Sequence, residues 1–531
     1  MVSKVDAVDN GANVEKAGGT PALYGALAGL VAGAVAVTTG MLVAGILDVV
    51  SPIDAVGSEF IDRVPPWLKD LAIQWFGTND KVALRAGIIV VLAIAALIVG
   101  YLATKWKIAG AIGIGAFGLI GALAAWHRPD ASIGAALPSL IGAAVGIPLL
   151  NWLLYPTRPQ NVERPTRSRV PLGWDRRRFL VSTGTAAAGA LVAGGIAQVL
   201  EARRIESIRE AIPDSLPSAA STGTTIAVPA DATLSPDTPF ITPSGEFYRI
   251  DTALSFPRIS VGSYKVDIGG MVDKPLTFTY DELLAMPQIE RIVTLCCVSN
   301  EVGGDLISTA TFQGTLLAPL LKQAGVQAGA EQVYSTSLDG WTCGFPVEVA
   351  LDGRDAMIAL GMNGAALPLE HGFPARLVVP GLYGYVSATK WLRKIELTTW
   401  DAEEGFWVPR GWARDAPIKT QSRIDVPREN KHIPPGPTKI AGIAWAQHRG
   451  VQKVEVRIDD GPWQEARLGS DVTNDAWRQW VLDWTPPGPG NYTIQARATD
   501  KTGATQTEEQ APPDPDGATG YPTREVRVVA N

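Results

Sequence analysis

Five long stretches in the first 200 residues contain no charged side chain. The apolar core of a membrane is about 30 Å thick, and a helix needs about 20 residues to cross it. Helices buried in soluble proteins rarely run this far without a polar stripe. We therefore predict an α-helical membrane bundle over residues 21–200, with five spans at Pro21–Leu47, Ala86–Thr104, Ile108–Trp126, Ile133–Tyr155 and Phe179–Leu200.

The charge of the chain is distributed unevenly. Residues 21–155 hold 14 charged side chains, although the whole chain has 46 Lys and Arg and 53 Asp and Glu. The remainder therefore has the composition of soluble domains attached to the bundle. The net charge of −7 argues against a nucleic-acid partner. With only three cysteines, a disulfide-rich scaffold is excluded.

The cations between the spans predict the orientation. Lys105 and Lys107 lie between spans two and three, and seven arginines lie in 157–178, between spans four and five. Such loops stay in the cytoplasm. We expect a multi-pass cell-membrane protein whose N-terminal tail, residues 1–20, is cytoplasmic. Everything after residue 200 is then extracytoplasmic.

The start of the fifth span allows two interpretations. Asp175-Arg-Arg-Arg-Phe-Leu180 before an apolar run resembles a twin-arginine export signal, which would carry a folded, cofactor-loaded domain across the membrane. The three arginines also satisfy the positive-inside rule alone. Downstream, residues 201–245 become rich in Pro, Ser, Thr and Ala, which predicts a linker.

A mixed α+β domain is predicted over 246–430, and its most informative segment ends at a thiol. Ile292-Val-Thr-Leu-Cys-Cys-Val-Ser-Asn300 is an apolar strand followed by an amide. A thiolate at a strand end suits a soft or high-valent metal. The alternative is that the cysteines are buried apolar fillers.

Several ordered motifs decide between these alternatives. Cys297-x-x-Asn300 is followed by Phe312-x-Gly314-x-x-Leu317, then by His371-Gly-x-Pro374-x-Arg376, and then by Pro380-Gly-x-x-Gly384 and Lys390-Trp391-Leu392. This order resembles the sulfite oxidase family of molybdenum enzymes, over roughly residues 240–531.

The resemblance implies a molybdenum–molybdopterin cofactor with Cys297 as the protein ligand of the metal. Arg249 would face the metal and hold an anionic substrate, which makes it the second catalytic candidate beside Cys297. The implied cofactor-binding residues are Phe247, Tyr248, Arg249, Ile250, Asp251, Cys297, Asp339, His371, Arg376, Ala388, Thr389 and Lys390. Cys296 and Cys343 remain either buried fillers or a disulfide pair.

Two departures from the family argue against sulfite as the substrate. Glu301 stands near the place of a family arginine, and Trp400–Trp407 contains no counterpart of a family tyrosine. Both changes weaken the binding of a small dianion. Oxygen-atom transfer involving a neutral sulfoxide, N-oxide or other small molecule is the favoured chemistry, and Trp407 and Trp412 are candidates for an apolar pocket. Sulfite oxidation is the alternative.

Alternating strands in Ile440–Val529 predict a C-terminal β-sandwich over 431–531. It resembles the immunoglobulin-like module of the family, which implies a homodimer. No Cys-x-x-Cys-His or nucleotide-binding glycine pattern occurs, so we expect no haem or flavin in this chain. Electrons would pass to or from a separate cytochrome, quinone or similar carrier, and the spans either bind it or only anchor the chain. The rival hypothesis is a non-catalytic, membrane-anchored binding or assembly module that keeps this fold.

Overall fold

The computed structural model describes residues 22–65, 68, 71, 75–76, 80–129, 131–154, 176–213, 215–217, 227–235, 237–429 and 432–529. The chain divides into two compact units, Met1–Arg204 and Ile205–Asn531. The predicted tail, residues 1–20, lies outside the described residues, as does most of the arginine-rich segment 157–178.

Where it is described, the first unit is helical, and five of the described helices are long and apolar enough to cross a membrane. Each predicted span coincides largely with one of them, although the last helix continues beyond Leu200 and ends in the second unit. A shorter helix, α2, begins with Pro52 behind an N-cap, Ser51, whose side chain accepts a hydrogen bond from the Asp54 amide. The helices are α1 Ala22–Leu47, α2 Pro52–Arg63, α3 Asp80–Lys105, α4 Lys107–Trp126, α5 Leu137–Leu154 and α6 Arg176–Glu210.

Glycines bring the backbones of α1 and α3 into close contact. A Cβ atom added to Gly100 would lie 2.6 Å from the Gly29 Cα, and one added to Gly29 would lie 2.5 Å from the Gly100 Cα. Neither position has room for a side chain. Small residues at such crossings are typical of helix packing in membranes.

The second unit begins with a β-rich domain built on two sheets. One sheet has the strand order β2-β1-β10-β5-β6, and the other has the order β3-β4-β7-β8 with β9 also paired to β7. The strands are β1 Lys265–Gly270, β2 Leu276–Thr279, β3 Ile289–Cys296, β4 Ile307–Leu316, β5 Gln332–Ser337, β6 Thr342–Pro346, β7 Met357–Met362, β8 Ala365–Ala366, β9 Arg376–Val378 and β10 Leu392–Thr398. Short helices connect them: α7 Tyr280–Ala285, α8 Leu317–Ala324, α9 Val347–Leu351 and α10 Gly384–Ser387.

Burial explains why the sequences of β3 and β7 are largely apolar. All six residues of β7 are buried, as are the last five residues of β3. Strands buried on both faces are expected to be continuously apolar rather than alternating. The site therefore rests on a closely packed scaffold.

Two further sheets form the C-terminal part. Their strand orders are β11-β13-β17-β16 and β12-β19-β18-β14-β15, and their buried side chains form one common core. The strands are β11 Gln421–Val426, β12 His432–Ile433, β13 Thr438–Trp445, β14 Val451–Ile458, β15 Gln464–Glu465, β16 Arg467–Leu468, β17 Arg478–Trp484, β18 Gly490–Asp500 and β19 Thr523–Val528. Because β11 pairs with β13, this part begins at Gln421, before the predicted boundary at 431. The proline-rich run at 434–437 is a connection inside it.

Residues 227–245 are not a free linker where they are described. Ala232 and Phe240 are buried, and the Leu234 and Ser235 amides donate to Gln479 Oε1 at 2.7 and 3.2 Å. The Thr242 amide donates to the Thr309 carbonyl at 2.8 Å. We call 227–245 the strap, because it binds both β-rich parts. Its polar composition reflects hydrogen bonding to these parts.

Candidate active site

Cys297 follows the last residue of β3 in a tight, buried turn. Its amide donates to the Leu306 carbonyl at 2.9 Å, and its carbonyl accepts from the Asn300 amide at 3.1 Å. Asn300 Oδ1 closes the loop by accepting from the Leu306 amide at 2.8 Å. Asn300 therefore has a structural reason to stand three positions after the thiol.

The thiol is suited to a metal only when it loses its proton. Burial raises the pKa of Cys297, and hydrogen bonds with Ser299 partly oppose this. A coordinated thiol is deprotonated, so metal binding here would release a proton. All three cysteines are free, which rules out the Cys296–Cys343 disulfide that the sequence left open.

The segment from Phe247 to Asp251 directs its side chains to different places. Phe247 is buried, stacks on Tyr248 at 5.4 Å between ring centroids and meets the His371 ring edge-on at 5.3 Å. Tyr248 is partly buried, and its amide donates to Ser308 Oγ at 3.2 Å. Ile250 is 48 % exposed, so it contributes little to the buried site.

Arg249 does not contact the thiol. Its Nε lies 2.9 Å from Asp251 Oδ2, and its guanidinium lies 4.8 Å from the centre of the Phe256 ring. The same carboxylate oxygen accepts from Lys390 Nζ at 2.6 Å. Asp251 therefore holds Arg249 together with Lys390, and a role for Arg249 at the metal stays a prediction.

Lys390 is largely buried despite its charge, with 11 % of its side chain exposed. Burial lowers its pKa to about 8, although Asp251 opposes that shift. Its Nζ also donates to the Glu370 carbonyl at 3.3 Å. A buried ammonium beside a single carboxylate remains available to a further anion.

His371 and Arg376 lie together behind Phe247. His371 Nε2 donates to the Ser244 carbonyl at 2.8 Å, and burial with the nearby Arg376 charge lowers the pKa of His371 to about 4. Arg376 donates to the carbonyls of His371 at 3.1 Å and Leu377 at 3.4 Å. Burial lowers its pKa to about 10.

Arg376 is a buried cation in need of a negative partner. Its side chain is 5 % exposed, and no carboxylate lies within 4 Å of it in the part of the chain that the structure describes. Burying an unpaired charge is costly. A phosphate group would compensate it, and the planar guanidinium suits that anion.

Residues 388–390 lead from α10 into the site. The Ala388 amide donates to the Gly384 carbonyl at 2.9 Å. The Thr389 hydroxyl lies 2.7 Å from Ser335 Oγ and 3.1 Å from Cys343 Sγ, which fixes this side chain within the protein. Sequence reasoning missed the contact with Cys343, because no local pattern joins positions 46 residues apart.

Asp339 lies in the turn between β5 and β6. Its Oδ1 accepts from the Trp341 amide at 3.2 Å, while the Leu338 amide donates to the Trp391 carbonyl at 2.8 Å. The turn is thereby attached to the residue after Lys390. Trp407 and Trp412 pack together at 6.2 Å between ring centroids, and Trp412 also packs against Tyr385.

These residues fit the molybdenum–molybdopterin group that the sequence implies. Cys297 offers a thiol, whereas Arg376 and Lys390 offer buried positive charge for a terminal phosphate. Among the described residues, no three His, Cys, Asp or Glu side chains gather as a metal site. A metal held mainly by its own organic ligand needs only the one thiolate.

Comparisons with known proteins identify the domain that contains these residues. Residues 253–407 match the family described as oxidoreductase molybdopterin binding domain. The chain is 30% identical to sulfite oxidase of Gallus gallus over 322 residues, which cover 51% of this chain and 69% of that protein. For mitochondrial sulfite oxidase of Homo sapiens the identity is also 30%, over 51% of this chain and 58% of the relative, so the chain spans little more than half of that protein.

A solved structure that resembles the chain is the sulfane dehydrogenase SoxCD from Paracoccus pantotrophus. It is 26% identical with a TM-score of 0.47, covering 60% of this chain and 89% of that one. The identity and coverage of the Gallus gallus relative are what establish the relationship. This chain is a molybdopterin-dependent oxidoreductase and belongs to the sulfite oxidase family.

Proposed function

We propose that this chain is a membrane-anchored enzyme that transfers an oxygen atom at a molybdenum centre bound through Cys297. The observation that carries the proposal is the buried thiol at the end of β3, in the same domain as the uncompensated buried cation Arg376. When bound, the cofactor supplies two-electron oxygen-atom transfer by cycling between Mo(VI) and Mo(IV). The protein supplies binding, orientation and a dry site.

Different site residues are proposed to bind different parts of the cofactor. Arg376 and Lys390 bind its phosphate, with the backbone of Ala388 and Thr389 beside them. His371, neutral at pH 7, and Asp339 provide polar contacts to the pterin, and Phe247 packs against His371. Asp251 orients Lys390 and Arg249, while Ile250 lies at the exposed rim.

A neutral substrate agrees best with these charges. Asp251 neutralises Arg249, and Glu301 is exposed just beyond the Cys297 turn. A small dianion would find few unpaired cations there once the cofactor holds Arg376 and Lys390. We therefore favour a sulfoxide, an N-oxide or a related small molecule, with sulfite as the alternative.

The apolar helices support a membrane anchor, and the cations between the spans support an N-terminus in the cytoplasm and a catalytic domain outside. The C-terminal sheets, from Gln421, are proposed to be an immunoglobulin-like sandwich that forms a homodimer. A separate cytochrome, quinone or similar carrier exchanges electrons with the centre. The signal-like arginines at the start of α6 agree with export of a loaded domain.

Metal analysis of the purified full-length protein in detergent tests the proposal. We expect about one molybdenum per chain in the wild type. In Cys297→Ser, X-ray absorption should show one sulfur ligand fewer, and turnover of dimethyl sulfoxide, trimethylamine N-oxide and sulfite should fall at least a hundredfold, on the order of the loss of a group essential to the chemistry.

Cys296→Ser is the matched control, because it alters the neighbouring thiol. It should preserve both the X-ray absorption spectrum and the turnover. Wild-type protein without molybdenum, produced in a host that makes the cofactor, would favour the non-catalytic binding module. Vigorous turnover of sulfite would contradict the neutral-substrate assignment.

A further inference from the structure

The end of α6 packs on the catalytic domain together with the residues that follow it. We call residues 205–213 and 215–217 the extension. Ile208 is 6 % exposed and lies in the same hydrophobic core as the strands of that domain. Gln313 of β4 donates to the Pro217 carbonyl at 2.8 Å. The side chains of the extension therefore have fixed positions on the catalytic domain.

Arg209 is the residue of the extension that reaches the cofactor-binding residues. Its Nη2 lies 2.6 Å from Glu370 Oε1. Glu370 directly precedes His371, and its carbonyl accepts from Lys390 Nζ at 3.3 Å. Glu370 thus presents its backbone to the ammonium group of the site and its carboxylate to Arg209.

The direction of this carboxylate matters because Glu370 is charged. Burial would raise the pKa of Glu370, but hydrogen bonds from its own backbone and from Arg209, with the charges of Arg209 and Arg249, lower it. Glu370 therefore carries a negative charge at neutral pH. If Arg209 were absent, Lys390 and Arg249 would attract this carboxylate.

A second carboxylate would cancel the charge that a phosphate group needs. Lys390 and Arg249 share the carboxylate of Asp251, so these two cations keep one net positive charge. A carboxylate of Glu370 turned toward them would neutralise that remaining charge. It would then compete with a phosphate group for Lys390.

The pair of Arg209 and Glu370 contributes little to stability. The Arg209 side chain is 48 % exposed and that of Glu370 is 28 % exposed. Ion pairs with such exposure are usually worth little in the free energy of folding. The effect of Arg209 is therefore expected on the direction of the carboxylate and on the anion site beside it.

We propose that Arg209 is a positioning residue that holds the Glu370 carboxylate away from the cations of the cofactor site. The inference rests on the proposed function, in which Lys390 binds the terminal phosphate of the cofactor. Arg209 contacts neither the phosphate nor the metal and acts through Glu370. By this means α6 contributes to the retention of the cofactor.

The test compares Arg209→Met, Glu370→Gln and the double variant in the full-length, cofactor-loaded protein in detergent. The rate of cofactor release is followed by the fluorescence of the freed pterin after oxidation, and the molybdenum content is measured beforehand. Arg209→Met should accelerate release by roughly threefold to tenfold, because the freed carboxylate competes for Lys390. Glu370→Gln should release the cofactor no faster than the wild type, and the double variant should recover the wild-type rate.

The double variant separates this inference from a folding defect, since it lacks Arg209 as well. Arg291→Met is the control, because it breaks an ion pair with Asp355 in the same domain and should leave the release rate unchanged. A wild-type rate in Arg209→Met overturns the inference. So does release from Glu370→Gln or from the double variant as fast as from Arg209→Met, since the pair would then be only structural. These results leave the molybdenum assignment intact, whereas a wild type without molybdenum contradicts the proposed function itself.

Discussion

His371 is a histidine that the folded chain keeps neutral. Its pKa is about 4 in the fold, against about 6.5 in an unfolded chain, because of burial and the neighbouring Arg376 charge. Between these values the unfolded chain binds more protons, so stability falls as the pH decreases from about 6.5 to about 4. The lowered pKa of His371 corresponds to a loss of roughly 3 kcal/mol in the free energy of unfolding across this pH range.

We expect His371→Gln to flatten this part of the pH profile, because Gln keeps a donor for Ser244 without titrating. The thermal midpoint of the full-length protein, followed by tryptophan fluorescence between pH 4 and 7, measures the effect. The difference between wild type and variant isolates His371 from other titrating groups. Identical profiles would contradict the assignment of a buried, neutral imidazole.

Single residues show how far sequence reasoning reaches. The order of the motifs predicted that Cys297, His371, Arg376 and Lys390 belong to one domain, and the structure places them there. It did not predict that Asp251 binds Arg249, since the direction of a side chain depends on partners far along the chain. Lys390, for example, is 139 positions from Asp251.

At the scale of elements, the crossing of α1 and α3 depends on the absence of side chains. We predict that Gly100→Leu destabilises the helical unit by about 1–3 kcal/mol, because the new side chain would have to separate two backbones. The thermal midpoint in detergent is the measurement. Gly87→Leu, on the same helix with nothing within 4 Å, is the control and should change little.

Helix ends were harder to predict than helix positions. The uncharged stretches located all five long helices, because length and apolarity are readable from sequence. The continuation of α6 past Leu200 was missed, since a helix outside an apolar environment can be maintained by charged pairs. Glu201 and Arg204, three residues apart, form such a pair at 2.5 Å.

At the scale of the second unit, Gln479 binds the strap at three backbone groups, whereas the side chains of Asp425, Ser470 and Trp477 each form one hydrogen bond with it. Gln479 accepts from the Leu234 and Ser235 amides and donates to the Thr238 carbonyl at 2.5 Å. Gln479→Leu would leave these buried groups without partners, at a cost of roughly 1–3 kcal/mol each. We expect proteolytic cleavage within residues 227–245 to accelerate by at least about tenfold.

Limited proteolysis of the full-length protein measures the rate of cleavage in the strap. Mass spectrometry identifies the cleavage sites. Gln495→Leu is a suitable comparison, because its partners Arg457 and Thr523 lie within the C-terminal part. Equal cleavage rates in the two variants would show that the strap is held without Gln479. The sequence indicated only a polar linker here, since hydrogen bonding of this kind leaves no periodic pattern.

The strap also has a consequence for the order in which the molecule is completed during translation. Leu234 and Gln479 are 245 positions apart, so this end of the strap cannot be fastened until β17 has been synthesised. At the other end of the strap, Thr242 pairs with Thr309 and Ser244 accepts from His371. These partners are synthesised well before β17, so the end of the strap at the site can be fastened first and the end at Gln479 only later.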